Sequence, residues 1–242
     1  MSIRLQNSKA LTSQRTPKDS RTALLFGATG LVGGHCLDLL LADEIYGKVI
    51  TLGRRNSDRE HPKLEHHSID FERLIDYVDY IAAEDVFCCL GTTIKKAGSQ
   101  EAFREVDFTY PHELAKIAKS NGAEQFLLVS SIGADAKSSI FYNRVKGELE
   151  EAIRRIPFDA FQIFRPSLLL GEREETRLGE QVAEKVLGAF AFLFIGALAK
   201  YKPIHASTVA AAMVRIAKAQ PRGVNIYESS EIRTLPCQNL VI

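Results

Sequence analysis

From Thr22 onward, short apolar runs alternate with longer amphipathic stretches. The first run, ALLF at 23–26, ends on a glycine and reads as a strand buried on both faces. LVGGHCLDLLLA at 31–42 reads as a helix, KVITL at 48–52 as a second strand and HHSI at 66–69 as a short third. VFCCL at 86–90 predicts a fourth strand. Residues 100–121 have helical periodicity, with Asn121-Gly122 as a stop signal and Pro111 as a point where the helix kinks or restarts. QFLLVSS at 125–131 and FDAFQIF at 158–164 predict the fifth and sixth strands, on either side of a helix over 138–155. Helices over 179–200 and 206–219 follow, then a last strand, VNIY at 224–227.

This rhythm predicts an α/β protein: a doubly wound parallel sheet with right-handed crossovers and helices on both faces. Residues 21–242 form one expected domain, in which about 166–242 build a small substrate-side region above the C-terminal strand ends. Residues 1–20 are polar and carry Arg4, Lys9, Arg15 and Lys18 against Asp19 alone. They read as a flexible tail, with a transit peptide as the alternative.

Composition narrows the class. The 242 residues are 45% apolar and 25% charged, which excludes collagen-like, disulfide-scaffold and wholly disordered chains. A formal charge of +1 gives no electrostatic reason to bind nucleic acid. The longest uncharged apolar run, Val186–Ala199, is too short to span a bilayer and reads as a buried helix. Cys36, Cys88, Cys89 and Cys237 show no zinc spacing and read as free thiols in a reducing compartment, hence a cytoplasmic protein. His61, His66 and His67 cluster near strand three, but adjacent strand residues face opposite ways, so no metal site is expected.

Chemistry enters at the strand ends. Gly27, Ala28, Thr29, Gly30, Leu31, Val32 and Gly33 follow a strand and open a helix. Gly27 permits the tight turn, Gly30 a close approach of backbone to a pyrophosphate, and Gly33 close packing of helix on sheet. The helix N-terminus adds free N–H groups and positive potential, so the reading is a dinucleotide site. After strand two stand Arg54 and Arg55, where an NAD site places an acid. Guanidinium attracts a 2′-phosphate that a carboxylate would repel, which favours NADP(H) over NAD(H). Asp70 and Phe71, after strand three, are placed to meet the adenine, and Leu90, Gly91 and Thr92, after strand four, to meet the cofactor.

Tyr142 and Lys146 are four apart on one helix and share a face, downstream of Ser130 and Ser131. A phenol's ordinary pKa near 10 is too high for proton transfer at neutral pH, and a nearby ammonium lowers such a value. Tyr142 is thus the candidate general acid/base, Ser131 the partner of the substrate oxygen, and Lys146 the donor to the nicotinamide ribose. Ser130 is the lesser candidate, because it points to the other face. Lys95 and Lys96 read as a basic loop over the site, residues 172–177 as a solvated loop, and His205 as an exposed helix cap.

Taken together, these residues resemble the atypical, single-domain branch of the short-chain dehydrogenase/reductases, and within it the Tat-interacting-protein-like oxidoreductases. The shared stretches are FGATGLVG, TLGRR, DFERL, FCCLGTT, KAG, SSIGAD, YNRVKGE, FRPSLLL and EETRLGE, in this order, over about residues 22–220. The resemblance implies a Rossmann-type fold binding NADP(H), with Tyr142 as proton donor, Lys146 on the cofactor, and Leu169 and Arg177 on further cofactor-side positions. It departs from the ordinary pattern at one catalytic position. No Asn lies between Asn56 and Asn121, and Asp107 stands near the place of the usual catalytic Asn.

The leading expectation is an oxidoreductase passing hydride between nicotinamide and a carbonyl or alcohol, acting on a small substrate that the 186–199 run marks as apolar. The alternative is an NADP(H)-bound regulatory or scaffold protein with little turnover, which leaves room for a protein partner or a homodimer.

Overall fold

The computed structural model describes residues 20–171 and 201–235. Seven parallel strands form one sheet: β1 (Arg21–Phe26), β2 (Tyr46–Gly53), β3 (Leu64–Ser68), β4 (Asp85–Cys88), β5 (Gln125–Val129), β6 (Ala160–Arg165) and, last in the chain, β9 (Gly223–Glu228). Their order is β3-β2-β1-β4-β5-β6-β9. The chain runs outward in one direction through β3, returns, and runs outward in the other from β4, so the switch point lies between β1 and β4. A two-stranded parallel pair, β7 (Leu169–Leu170) with β8 (Ile204–His205), stands apart from the main sheet.

Helices cover both faces. On one, α1 (Leu31–Ala42) packs against the long C-terminal helix α6 (Ala206–Ala219), and Cys36, Leu37 and Leu40 meet Val209, Ala210 and Met213 over Ala23 and Leu25. On the other, α4 (Tyr110–Ser120) and α5 (Phe141–Arg154) bury Leu114, Ala118, Leu149 and Ile153 over Leu24, Phe26 and Phe126. Alternate residues of β1 thus enter opposite cores, which is why the strand reads as an unbroken apolar run. Short helices α2 (Ile94–Ala97), α3 (Gln100–Arg104) and α7 (Ser229–Thr234), and 3₁₀ turns over Phe71–Tyr80, complete the described chain.

The predicted helices over 31–42 and 206–219 form with those bounds, and the last strand is present. The 100–121 helix restarts at Pro111 as expected: α3 passes into a π-helical turn at Glu105–Thr109 before α4 begins, with Pro111 in its first turn. Proline has no N–H to give to the carbonyl of residue 107, and the wider turn absorbs that break. Two expectations need correction. The fourth and fifth strands end earlier than their apolar runs, because Cys89–Leu90 and Ser130–Ser131 already belong to the turns over the crevice. Lys95 and Lys96 lie not in a loop but in α2, where the Thr93 hydroxyl accepts from Lys96 N–H and Gly98 closes the helix at φ 88°. The expected 179–200 helix, Val186–Ala199, Arg177, Cys237 and the basic tail fall outside the described residues.

Candidate functional site

The crevice forms where the C-terminal strand ends meet the first turn of α1. Gly27 has φ +81°, and a Cβ there would lie 2.6 Å from the Cys89 carbonyl oxygen; at Gly33 it would lie 2.0 Å from the Gly27 oxygen. Only glycine permits this contact of turn, helix and neighbouring strand. Gly30 is the N-cap of α1 and offers no side-chain acceptor, so its first-turn N–H groups have no cap to receive them. Thr29 and Gly30 are exposed, and Leu31 is half-buried. The end of β7 returns to this turn: a Cβ on Gly171 would lie 2.8 Å from Leu31 Cδ1. That puts Leu169, half-buried and paired with Ile204, on the side of the site toward the phosphate turn.

Along the crevice from β2, Arg54, Asp70 and Phe71 line one cavity of about 520 Å³ with Glu72, Glu105 and Tyr110. The Phe71 and Tyr110 rings lie 5.3 Å apart at 39°. Arg55 is exposed, and its carbonyl is held 2.8 Å from His66 Nε2, while His66 Nδ1 lies 2.8 Å from Thr51 Oγ1. His66 therefore ties the arginine turn to the sheet. Its neighbour His67 faces away, pairs with Glu65 and stacks on Tyr80 at 3.9 Å. Among the described residues, no group of three His, Cys, Asp or Glu is arranged around a metal.

The floor is built by α5. Gly147 allows the loop after β5 to cross it closely, since a Cβ there would lie 2.2 Å from the Ala136 nitrogen. One turn below Tyr142, whose ring packs 5.4 Å from Phe103, Lys146 is buried with its side chain 4% exposed. Its Nζ lies 2.7 Å from Asp107 Oδ1, and the Thr92 N–H donates to Asp107 Oδ2 at 2.8 Å. Burial alone would lower the lysine pKa; the Asp107 carboxylate outweighs it and holds the ammonium above its ordinary value. A Cβ on Gly91 would lie 3.6 Å from that Nζ, so the turn after β4 runs directly over it.

Ser131 and Ser130 separate as expected. The Ser130 hydroxyl donates to buried Glu150, which also takes two bonds from Arg165. Ser131 Oγ is buried and has no partner. Sequence reasoning placed Asp107 near the position of the usual catalytic Asn but missed its ion pair with Lys146. It missed Glu150 and Tyr110 altogether, and weighed His66 only as a metal ligand. A charged residue in an otherwise apolar helical face was the available signal for Asp107 and Glu150. His205 sits at the N-cap of α6, exposed and without a side-chain cap bond.

The crevice suits a dinucleotide on two observations: glycine positions whose Cβ atoms would strike backbone, and a buried hydroxyl without a partner at the opposite end. The comparisons agree. Residues 27–219 match the pattern of the NAD(P)H-binding family. Protein HTATIP2 of Rattus norvegicus is 38% identical over 174 residues, covering 70% of this chain and 72% of that one. Protein FMP52, mitochondrial, of Candida albicans is 33% identical over 210 residues, 84% of this chain and 90% of its own. Protein FMP52-1, mitochondrial, of Scheffersomyces stipitis is 39% identical over 165 residues, 64% and 70% of the two chains.

Among solved structures, MoeE5 in complex with UDP-glucose and NAD superposes with a TM-score of 0.63 at 15% identity, covering 87% of this chain and 79% of that one. The Bordetella bronchiseptica enzyme WbmH in complex with NAD+ also gives 0.63, at 17% identity and 88% and 77% coverage. The names of the fungal relatives overturn the cytoplasmic expectation: free thiols identify a reducing environment, which is not one compartment. No helix of the described residues is long and apolar enough to cross a membrane. With its family pattern, its relatives and its Rossmann-like sheet in agreement, the chain belongs to the NAD(P)H-binding family.

Proposed function

We propose that the protein is an NADP(H)-dependent oxidoreductase acting on a carbonyl or alcohol. The observation that carries this reading is the Ser131 hydroxyl, buried without a partner at the end of β5. Leaving such a group unpaired costs about 1–3 kcal/mol, and a substrate oxygen would satisfy it. The bound nicotinamide would supply or accept the hydride.

The chain's own groups do the rest. Gly27, Ala28, Thr29, Gly30, Leu31, Val32 and Gly33 hold the diphosphate on backbone N–H groups. Asp70 and Phe71 flank the adenine, and Leu90, Gly91 and Thr92 line the middle of the cofactor path. Arg54 and Arg55 supply the positive charge for a 2′-phosphate, and Arg54 shares its cavity with Asp70 and Phe71. Lys146, charged and buried, donates to the ribose hydroxyls. Tyr142 gives a proton to the forming alkoxide or removes one from an alcohol, while Ser131 orients that oxygen. Leu169 borders the cofactor beside the first turn, and Arg177 completes the set from the segment after β7. The names of the fungal relatives support a mitochondrial location.

NADPH oxidation against a panel of aldehydes and ketones tests the reading, with wild type set beside Tyr142→Phe. Removing the proton donor lowers the rate about 100-fold or more while NADPH still binds. Equal, negligible rates in both proteins would favour a cofactor-bound regulator.

A further inference from the structure

A carboxylate is buried behind the serine turn, and the proposed reaction gives it no task. Glu150 is 2% exposed and lies on α5, one turn past Lys146 and two past Tyr142. Both of its oxygens are engaged. Oε1 accepts from the Ser130 hydroxyl at 2.5 Å and from Arg165 Nε at 3.0 Å, and Oε2 accepts from Arg165 Nη2 at 2.5 Å. Arg165 is the last residue of β6 and turns its Nη1 to Glu228 at 3.1 Å. A buried ion pair is a poor device for stability alone, because its desolvation cost is often as large as its attraction. This one joins the helix of Tyr142 and Lys146, the end of β6 and, through Ser130, the turn that carries Ser131.

Ser131 cannot place itself, since its hydroxyl has no protein partner. Its neighbours are tied instead. The Ser130 N–H donates to the Phe164 carbonyl at 2.7 Å and the Ile132 N–H to the Pro166 carbonyl at 3.0 Å, and Gly133 then turns the chain at φ +78°. The Ser130–Glu150 bond adds a side-chain anchor directly beside Ser131. We propose that Glu150 is a positioning residue that, through the Ser130 hydroxyl, sets the direction in which Ser131 Oγ points. Arg165 grips both oxygens of the carboxylate and fixes its plane. Adjacent residues of an extended chain face opposite ways, so Ser130 acts on a substrate oxygen only through Ser131. This rests on the role of Ser131 proposed above.

The test is a double-mutant cycle on the full chain. Turnover of the aldehyde or ketone reduced fastest by wild type, and NADPH affinity, are measured for wild type, Ser130→Ala, Glu150→Met, Ser131→Ala and Ser130→Ala with Ser131→Ala. Ser130→Ala and Glu150→Met are each expected to lower kcat about tenfold by letting the Ser131 hydroxyl wander, with NADPH affinity within about twofold of wild type. In the Ser131→Ala background, Ser130→Ala lowers kcat no further, because the group it positions is gone. A merely structural role would give the same fold-loss in both backgrounds. That additive result, or full kcat in Ser130→Ala, overturns the proposal. Should Glu150→Met not fold, Ser130→Ala decides, since it deletes one hydroxyl and leaves Glu150 with its Arg165 bonds.

Should wild type turn over no carbonyl, the oxidoreductase reading fails, and amide hydrogen exchange decides what Ser130 holds. In Ser130→Ala the Ile132 amide, one residue past Ser131, is expected to exchange about tenfold faster or more, while Leu127 in the middle of β5 keeps its wild-type rate. An Ile132 amide as slow in Ser130→Ala as in wild type overturns the proposal.

Discussion

Two buried aspartates stand at opposite ends of the same sheet, each fully enclosed, and they are partnered in different ways. Asp85, at the start of β4, receives two bonds from Arg21, one from the Tyr46 hydroxyl and one from Gln125, at 2.6–2.9 Å. Its acceptors are saturated by residues of three strands, and burial, with Asp85 beside it, pushes the Tyr46 phenol far above its ordinary value. Asp107, at the other end, meets one ammonium and one backbone N–H under a glycine turn, on the same strand-end side as Ser131, whose hydroxyl has no partner. The Asp85 carboxylate locks three strands together, although Gln125 Oε1 beside it is buried without a partner. The unpartnered Ser131 hydroxyl stands instead at the strand-end crevice, where an arriving ligand can satisfy it.

The largest expected effect falls on the locked end. Asp85→Ala leaves the buried Tyr46 hydroxyl without its acceptor and Arg21 still paired with Glu124, and should cost about 3 kcal/mol in urea denaturation. NADPH affinity of the folded fraction should not change; a loss of affinity matching the loss of stability would erase the division between the ends. Ser131→Ala is the converse. It removes an unsatisfied hydroxyl, so stability should hold or rise slightly, while turnover falls about 10- to 100-fold. A stability loss of the Asp85 kind would assign Ser131 to the scaffold.

Next in size is cofactor choice. Arg54→Ala with Arg55→Ala should weaken NADPH binding about tenfold and leave NADH binding within about twofold. Equal weakening of both would detach the arginines from the 2′-phosphate. The most gradual effect is alkaline. The buried Cys88 thiol is raised from 9.0 to about 12. Its protonated form belongs to the folded state, so its contribution is whole below pH 9 and is lost as pH rises toward 12. Tyr227, also raised to about 12 by burial, and Lys146, raised above 10.5, add to the loss from about pH 10 upward. Stability should therefore begin to decline near pH 9, by about 1.4 kcal/mol per unit at first. Cys88→Ala should move the onset about one unit higher.

The legible parts of the molecule were those where one local pattern determines one structure. Apolar runs such as ALLF are buried on both faces, and glycine at 27 and 33 leaves no room for a Cβ, so the strands of the parallel sheet and the glycine turn could be read directly. The 3₁₀ turns at Phe71–Tyr80 were not, because Arg73 and Tyr77 break the helical backbone and no regular helix forms from the pattern. Long-range partners were the other blind spot. Lys146 and Asp107 are 39 positions apart, and neither residue names the other until the π-helical turn aims the carboxylate inward. His66 reads as one of a pair of strand histidines, and only the fold shows that it holds the Arg55 carbonyl.

Equilibrium titration with NADPH, followed by the thermal midpoint, tests the central claim most directly. A bound dinucleotide at about 100 times its dissociation constant adds about 2.7 kcal/mol to stability, and the midpoint should have climbed by about 5–10 °C at that concentration. A midpoint unmoved by saturating NADPH and by saturating NADH would contradict it.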